Sequence, residues 1–258
     1  MSKLQISVLT IGLFLFCLLY FGFSPIPKNL AGIESKRAIS SEVTDINNLI
    51  RDVQSELTSN QKSYLITIEK EIEGSENESN KQELLKRLSG KWYEYKQPHI
   101  AGFYAEKVAE IENTPTAWSI VGTTFASAFK SKSEKKIKDY ALARAIAAFE
   151  NAISLEPKEI QHKVNLALCY VENPPQNNPM KGILQLINLN KENPDNPLVL
   201  TNLGRLAIQT GQYEKAIQRL ERAVVIEPAN KTANCLLAQV YSETGNQEKA
   251  ASFLEKCQ

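Results

Sequence analysis

The sequence predicts an all-α protein: a solenoid of helix-turn-helix units, preceded by a transmembrane helix and a heptad-patterned helix. Three observations carry that expectation. The chain opens on a long apolar run without charge. Apolar residues then recur in alternating steps of four and three. Toward the C-terminus, a spaced set of small, large apolar, glycine and proline residues repeats.

The first element is Leu4–Phe23, LQISVLTIGLFLFCLLYFGF, with no charged side chain in 20 residues. At about 1.5 Å per residue a helix of this length spans the roughly 30 Å hydrocarbon core, and it satisfies its own backbone in lipid. Residues 1–27 therefore read as an N-terminal anchor. A cleaved leader needs small residues at spaced positions before the cut. Gly22-Phe23-Ser24 is the nearest match, with Pro25 following it. Lys3 precedes the run, whereas Lys28, Lys36 and Arg37 follow it, a balance that favours a cytoplasmic domain. A short tail before a signal-like segment favours export instead. The expectation taken forward is a single-pass anchor with the repeats on the periplasmic side.

Residues 28–81 read as an amphipathic or coiled-coil helix and a linker. Ser24-Pro25-Ile26-Pro27 ends the anchor, since proline cannot continue a helix. From Glu34 to Glu73, Ile39, Ile46, Val53 and Asn60 share one heptad position, and Val43, Ile50, Leu57 and Tyr64 share the other. Such a seam either joins copies of the chain or packs on its own solenoid. Gly74 to Asn80, GSENESN, reads as a polar linker.

Residues 82–258 carry the repeats. In the clearest unit, 197–230, Leu200, Leu203, Gly204 and Ala207 mark one helical face, Gly211 breaks the helix, Ala216, Leu220 and Ala223 mark a second face, and Pro228 closes the unit. Small residues on facing helices permit an approach of roughly 8–10 Å, and large ones fill the layers beside them. The unit at 231–258 repeats this with Leu237, Ala238, Tyr241, Gly245, Ala250 and Leu254, and Glu214-Lys215-Ala216 recurs as Glu248-Lys249-Ala250. In 160–196 the markers are Leu166, Ala167, Tyr170, Gly182, Leu186, Leu189 and Pro194, with extra residues from Asn173 to Asn178. In 115–159 they are Trp118, Val121, Gly122, Phe125, Ala145, Phe149, Ala152 and Pro157, split by an insertion from Lys130 to Tyr140 that reads as a solvated, lysine-rich loop, with contact to anionic lipid head groups as the alternative. In 82–114, Leu85, Leu88, Ser89, Trp92, Ala101, Ala105 and Val108 keep the spacing, with Asn113 in place of proline.

On these residues the chain resembles tetratricopeptide-repeat (TPR) proteins over about two-thirds of its length. Its order of anchor, helix and repeats resembles bacterial membrane-anchored TPR factors of the cytochrome c maturation or envelope chaperone-like type. The resemblance implies a concave groove lined by the first helix of each unit. The residues it places there include Thr123 and Ser127, Leu168 and Glu172, Thr201, Arg205 and Gln209, and Cys235 and Gln239. It also implies other proteins or peptide segments as partners. The lysines of a chaperone-binding carboxylate clamp are missing from these positions, and only Arg205 sits at a clamp-like place.

Other chemistry is not signalled. The 30 basic and 29 acidic residues leave a net charge of +1, which provides no basic face for nucleic acid. No phosphate loop, metal-ligand spacing or nucleophile elbow is present, so neither an enzyme nor a cofactor is expected. Cys17, Cys169, Cys235 and Cys257 form no CxxC pair. His99 and His162 sit at helix starts and are expected at the surface. Phe253 and Leu254 are expected on an open apolar end of the array. The function expected is a membrane-anchored adaptor; the alternative is a homo-oligomeric scaffold built through the heptad helix and the last repeat.

Overall fold

The computed structural model describes residues 46–131 and 134–257. Within them lie twelve helices and no strand. Residues 46–56 are helical (α1) and belong to a first unit that ends at Thr58. The second unit begins at Ser59. It contains α2 (Ser59–Glu73), α3 (Glu78–Glu94), α4 (Pro98–Glu112), α5 (Pro115–Lys130), α6 (Lys135–Leu155), α7 (Ile160–Glu172), α8 (Lys181–Glu192), α9 (Pro197–Gln209), α10 (Tyr213–Ile226), α11 (Lys231–Glu243) and α12 (Gln247–Glu255). From α3 onward the helices pair in sequence as five hairpins, each packed on the next, which makes the second unit a helical solenoid.

Local chemistry sets the helix ends. Pro98, Pro115 and Pro197 open α4, α5 and α9, where the missing N–H costs nothing. Asn196 Oδ1 accepts from Val199 N at 3.1 Å, and Asn230 Oδ1 from Ala233 N at 2.9 Å; each caps a first turn. Gly211 ends α9 at φ +70, with Gln212 N donating to Ala207 O at 2.8 Å and Gly211 N to Ile208 O at 3.0 Å. Gly245 repeats the arrangement after α11 at φ +84. Both are helix stops that need a left-handed residue.

Packing inside the hairpins is tight. A Cβ on Gly182 would lie 2.4 Å from Ala167 O and 2.6 Å from Val171 N, so α7 and α8 touch backbone to backbone. Trp92 of the first hairpin and Phe125 and Phe149 of the second are fully buried. Arg144 and Glu106 form a buried ion pair at 3.0 Å between α6 and α4.

Several sequence expectations are corrected. The heptad pattern does not run as one helix to Glu73, because the helix is interrupted at residues 57 and 58. Beyond that break Asn60 is exposed and Tyr64 half-buried, while Leu65 and Ile68 face the core. A new register starts with the new helix. Ile39 and Val43, like the expected anchor at residues 4–23, lie outside the described residues. Among the described residues no helix is long and apolar enough to cross a membrane. The 74–80 linker is shorter than expected: Asn77 caps α3 and Glu78 already belongs to it. Most of the 130–140 insertion is the start of α6, held by a Lys135–Asp139 pair at 2.5 Å, with Tyr140 buried edge-on to Phe125.

Both histidines are buried rather than exposed, His99 to 3% and His162 to 6%. They stand in the first turns of α4 and α7, which pack inward in this solenoid. Burial lowers the pKa of His99 to about 4.

Candidate functional site

The first helices of the hairpins are α3, α5, α7, α9 and α11, and the last four of these supply the predicted groove residues. Two cavities follow one another along the first three. The cavity between α5 and α7 has a volume of about 320 Å³ and a floor formed by Leu142 and Phe149 of α6. It gathers four predicted residues, Thr123, Ser127, Leu168 and Glu172. The Thr123 hydroxyl donates to the carbonyls of Ser119 and Ile120 at 3.0 Å, so what it offers the cavity is chiefly its methyl group. Asn165 Oδ1 accepts from Gln161 Nε2 at 3.0 Å, which leaves the Asn165 amide N–H groups as donors on this wall. Lys130 Nζ stands 3.9 Å from Glu172 Oε1 at the mouth. Cys169 lies behind Leu168, and burial pushes its thiol up to about 12, so it is a packing group rather than a nucleophile.

The cavity between α3 and α5 is larger, about 630 Å³, with Ala105 and Val108 of α4 beneath it. Its walls include Tyr93, Ile120 and Thr124. Ile120 of α5 is 54% exposed and Tyr93 of α3 50% exposed, so both helices present apolar surface at this cavity. Lys86 pairs with Glu112 at 2.6 Å across its rim. Tyr93 Oη lies 3.4 Å from Ser127 Oγ and so links the two cavities. Tyr93, Ile120 and Thr124 were not picked out from the sequence as groove residues. Tyr93 repeats in the first unit the helical place of Ala126 in the second, a signal hidden by the weak, proline-less first repeat.

The remaining predicted residues are not brought into either cavity. Thr201 is buried within α9 and cannot meet a partner, which corrects that expectation. Arg205 is half-buried, with Nη2 donating to Asn202 Oδ1 at 2.5 Å; among the described residues no carboxylate pairs with it. Gln209 is exposed, and Gln239 Nε2 donates to Glu243 Oε1 at 2.8 Å. Cys235 is joined to Cys257 in a disulfide. At the expected open end, Leu254 is 56% exposed. Phe253 is half-buried instead, stacked on Tyr241 with ring centroids 5.8 Å apart.

Comparison with known proteins supports the helical-repeat fold. A model described as TPR repeat matches residues 204–245, and one described as tetratricopeptide repeat matches residues 187–218. No curated protein matches the chain in sequence. Among solved structures it is similar to a thermophilic TPR protein of Thermus thermophilus, at 17% identity and a TM-score of 0.50, over 68% of this chain and 89% of that one. PilW, a widely conserved type IV pilus biogenesis factor, aligns at 17% identity and a TM-score of 0.46, over 70% of this chain and 77% of its own. MamA from Desulfovibrio magneticus aligns at 18% identity and a TM-score of 0.42, over 68% of this chain and 92% of its own. At these identities the likeness is one of fold.

Proposed function

From the premise that this chain carries tetratricopeptide repeats, we propose that it is a membrane-anchored adaptor that holds a segment of a partner protein in the groove of its first three hairpins. The observation that carries this is the succession of two apolar-floored cavities between neighbouring first helices, α3–α5 and α5–α7. Successive pockets of this kind suit the side chains of an extended or helical peptide. The rim lysines, Lys86 and Lys130, are already matched by Glu112 and Glu172, so the groove favours apolar anchors over an acidic tail. The anchor is the uncharged Leu4–Phe23 run, and the repeats stand on the periplasmic side.

The test is affinity capture of the full-length protein from detergent-solubilised membranes, followed by mass spectrometry. One partner complex should be recovered with the wild type and be depleted at least about tenfold with Leu168→Glu, since burying an unpaired charge is costly. Equal recovery from a folded Leu168→Glu protein would remove the groove from the account. Alkaline carbonate should leave the protein in the membrane fraction; its release would remove the anchor.

A further inference from the structure

We propose that Cys235 and Cys257 are an oxidation site whose cystine clasps the last hairpin shut once the repeats have reached an oxidising compartment. This rests on the periplasmic placement above. Cys235 lies in α11 and Cys257 just beyond α12, 22 residues later in sequence, and their Cα atoms are 4.8 Å apart. That separation lies within the range a disulfide bridges without moving the backbone.

The hairpin needs such a tie. Helix α12 has nine residues and only Ala250 of them is buried. Phe253, half-buried on Tyr241, and the contact of Lys249 with Tyr241 Oη at 3.0 Å add to its hold on α11. A helix this short, with so little apolar burial, opens easily on its own. The clasp sits on the groove side. In the fifth unit Cys235 occupies the place that Lys86 holds in the first, four residues after Lys231 as Lys86 is after Gln82. The cystine therefore holds one place on the groove row of α11, while Gln239 of the same row stays exposed.

The chemistry is two-electron exchange. The thiolate of one cysteine attacks a disulfide of the oxidant, a protein or glutathione disulfide, and forms a mixed disulfide. The second thiolate then displaces the oxidant's sulfur. Two electrons and two protons pass to the oxidant, which leaves as thiols. Cys169 does not compete, because its thiol is buried and its thiolate disfavoured. Cystines form and persist in exported compartments and are kept reduced in the cytosol.

The test uses full-length protein from acid-quenched cells, denatured and treated with a maleimide before and after reduction. Cys17 and Cys169 should be labelled at once, Cys235 and Cys257 only after reduction. Protease access in spheroplasts of the same cells reports the side on which the repeats stand. Repeats outside with both thiols free would overturn the clasp alone; repeats inside with both thiols free would overturn the placement as well. On the purified protein, reduction or Cys257→Ser should raise hydrogen exchange in residues 247–256 by on the order of 100-fold and leave residues 197–226 unchanged. Exchange in 247–256 that is indifferent to reduction would overturn the mechanical role.

Discussion

Replacing Gly182 with alanine puts the packing of α7 on α8 to a direct test. In the interior of an exposed helix this change stabilises by about 1 kcal/mol. Here the new methyl would sit 2.4 Å from Ala167 O and 2.6 Å from Val171 N. Ordinary contact begins roughly 1 Å farther out. Both obstacles are backbone atoms, so no rotamer change relieves them and the two helices must part. Overpacking of this kind costs about 1–3 kcal/mol. After a propensity gain of at most about 1 kcal/mol, a net loss of up to about 2 kcal/mol remains, or up to about 8 °C in Tm for a unit of this size. Gly90→Ala is the matched control: a Cβ there meets nothing within 4 Å, and the substitution should stabilise by up to about 1 kcal/mol. Thermal unfolding followed by circular dichroism compares the two. A Gly182→Ala protein as stable as Gly90→Ala would refute the close contact of α7 and α8.

Stability should also depend on pH through His99. Folding holds its pKa at about 4 against an ordinary 6.5, so its contribution is complete above pH 6.5 and is lost as the pH falls through 4. The loss should reach at most about 3 kcal/mol and be absent in His99→Gln; equal pH profiles for both proteins in urea unfolding would count against a buried neutral imidazole. Arg144→Ala should destabilise by about 3–5 kcal/mol, because it strands Glu106 in the interior, whereas Arg144→Met combined with Glu106→Leu should cost much less; similar losses for the two would show that the pair's charges are not buried. Ile46 and Ile50 are already buried within one chain, so the full-length protein in detergent should be monomeric by multi-angle light scattering. An oligomer dispersed by Ile50→Lys would revive the scaffold alternative.

The solenoid was legible because its packing rule is written in residue size. Gly182 beside Ala167, and Gly204 beside Leu220, leave no room for larger side chains, and Gly211 and Gly245 mark turns that need a left-handed residue. The break at residues 57–58 was hidden, since the apolar steps of Val53, Leu57 and Tyr64 continue across it while the backbone does not. Thr201 lies on a predicted groove row, yet α9 is covered on several sides, and no local pattern records coverage by a neighbour. The burial of His99 and His162 was missed for the same reason. The Cys235–Cys257 bond depends on how α12 folds back on α11, which a spacing of 22 residues does not reveal. In the candidate site, Leu168 and Thr123 were legible from repeat position, while Tyr93 and Ile120 required the cavity itself.

Site-specific photo-crosslinking in living cells tests the groove most directly. A photoreactive residue is placed at Leu168 or Ile120 in the full-length protein, and at Val225, which is 78% exposed and lines neither cavity. The groove account predicts that both groove positions capture the same partner protein and that Val225 does not. Capture of the partner from Val225 alone, or of only a second copy of this chain from Leu168 and Ile120, would contradict it.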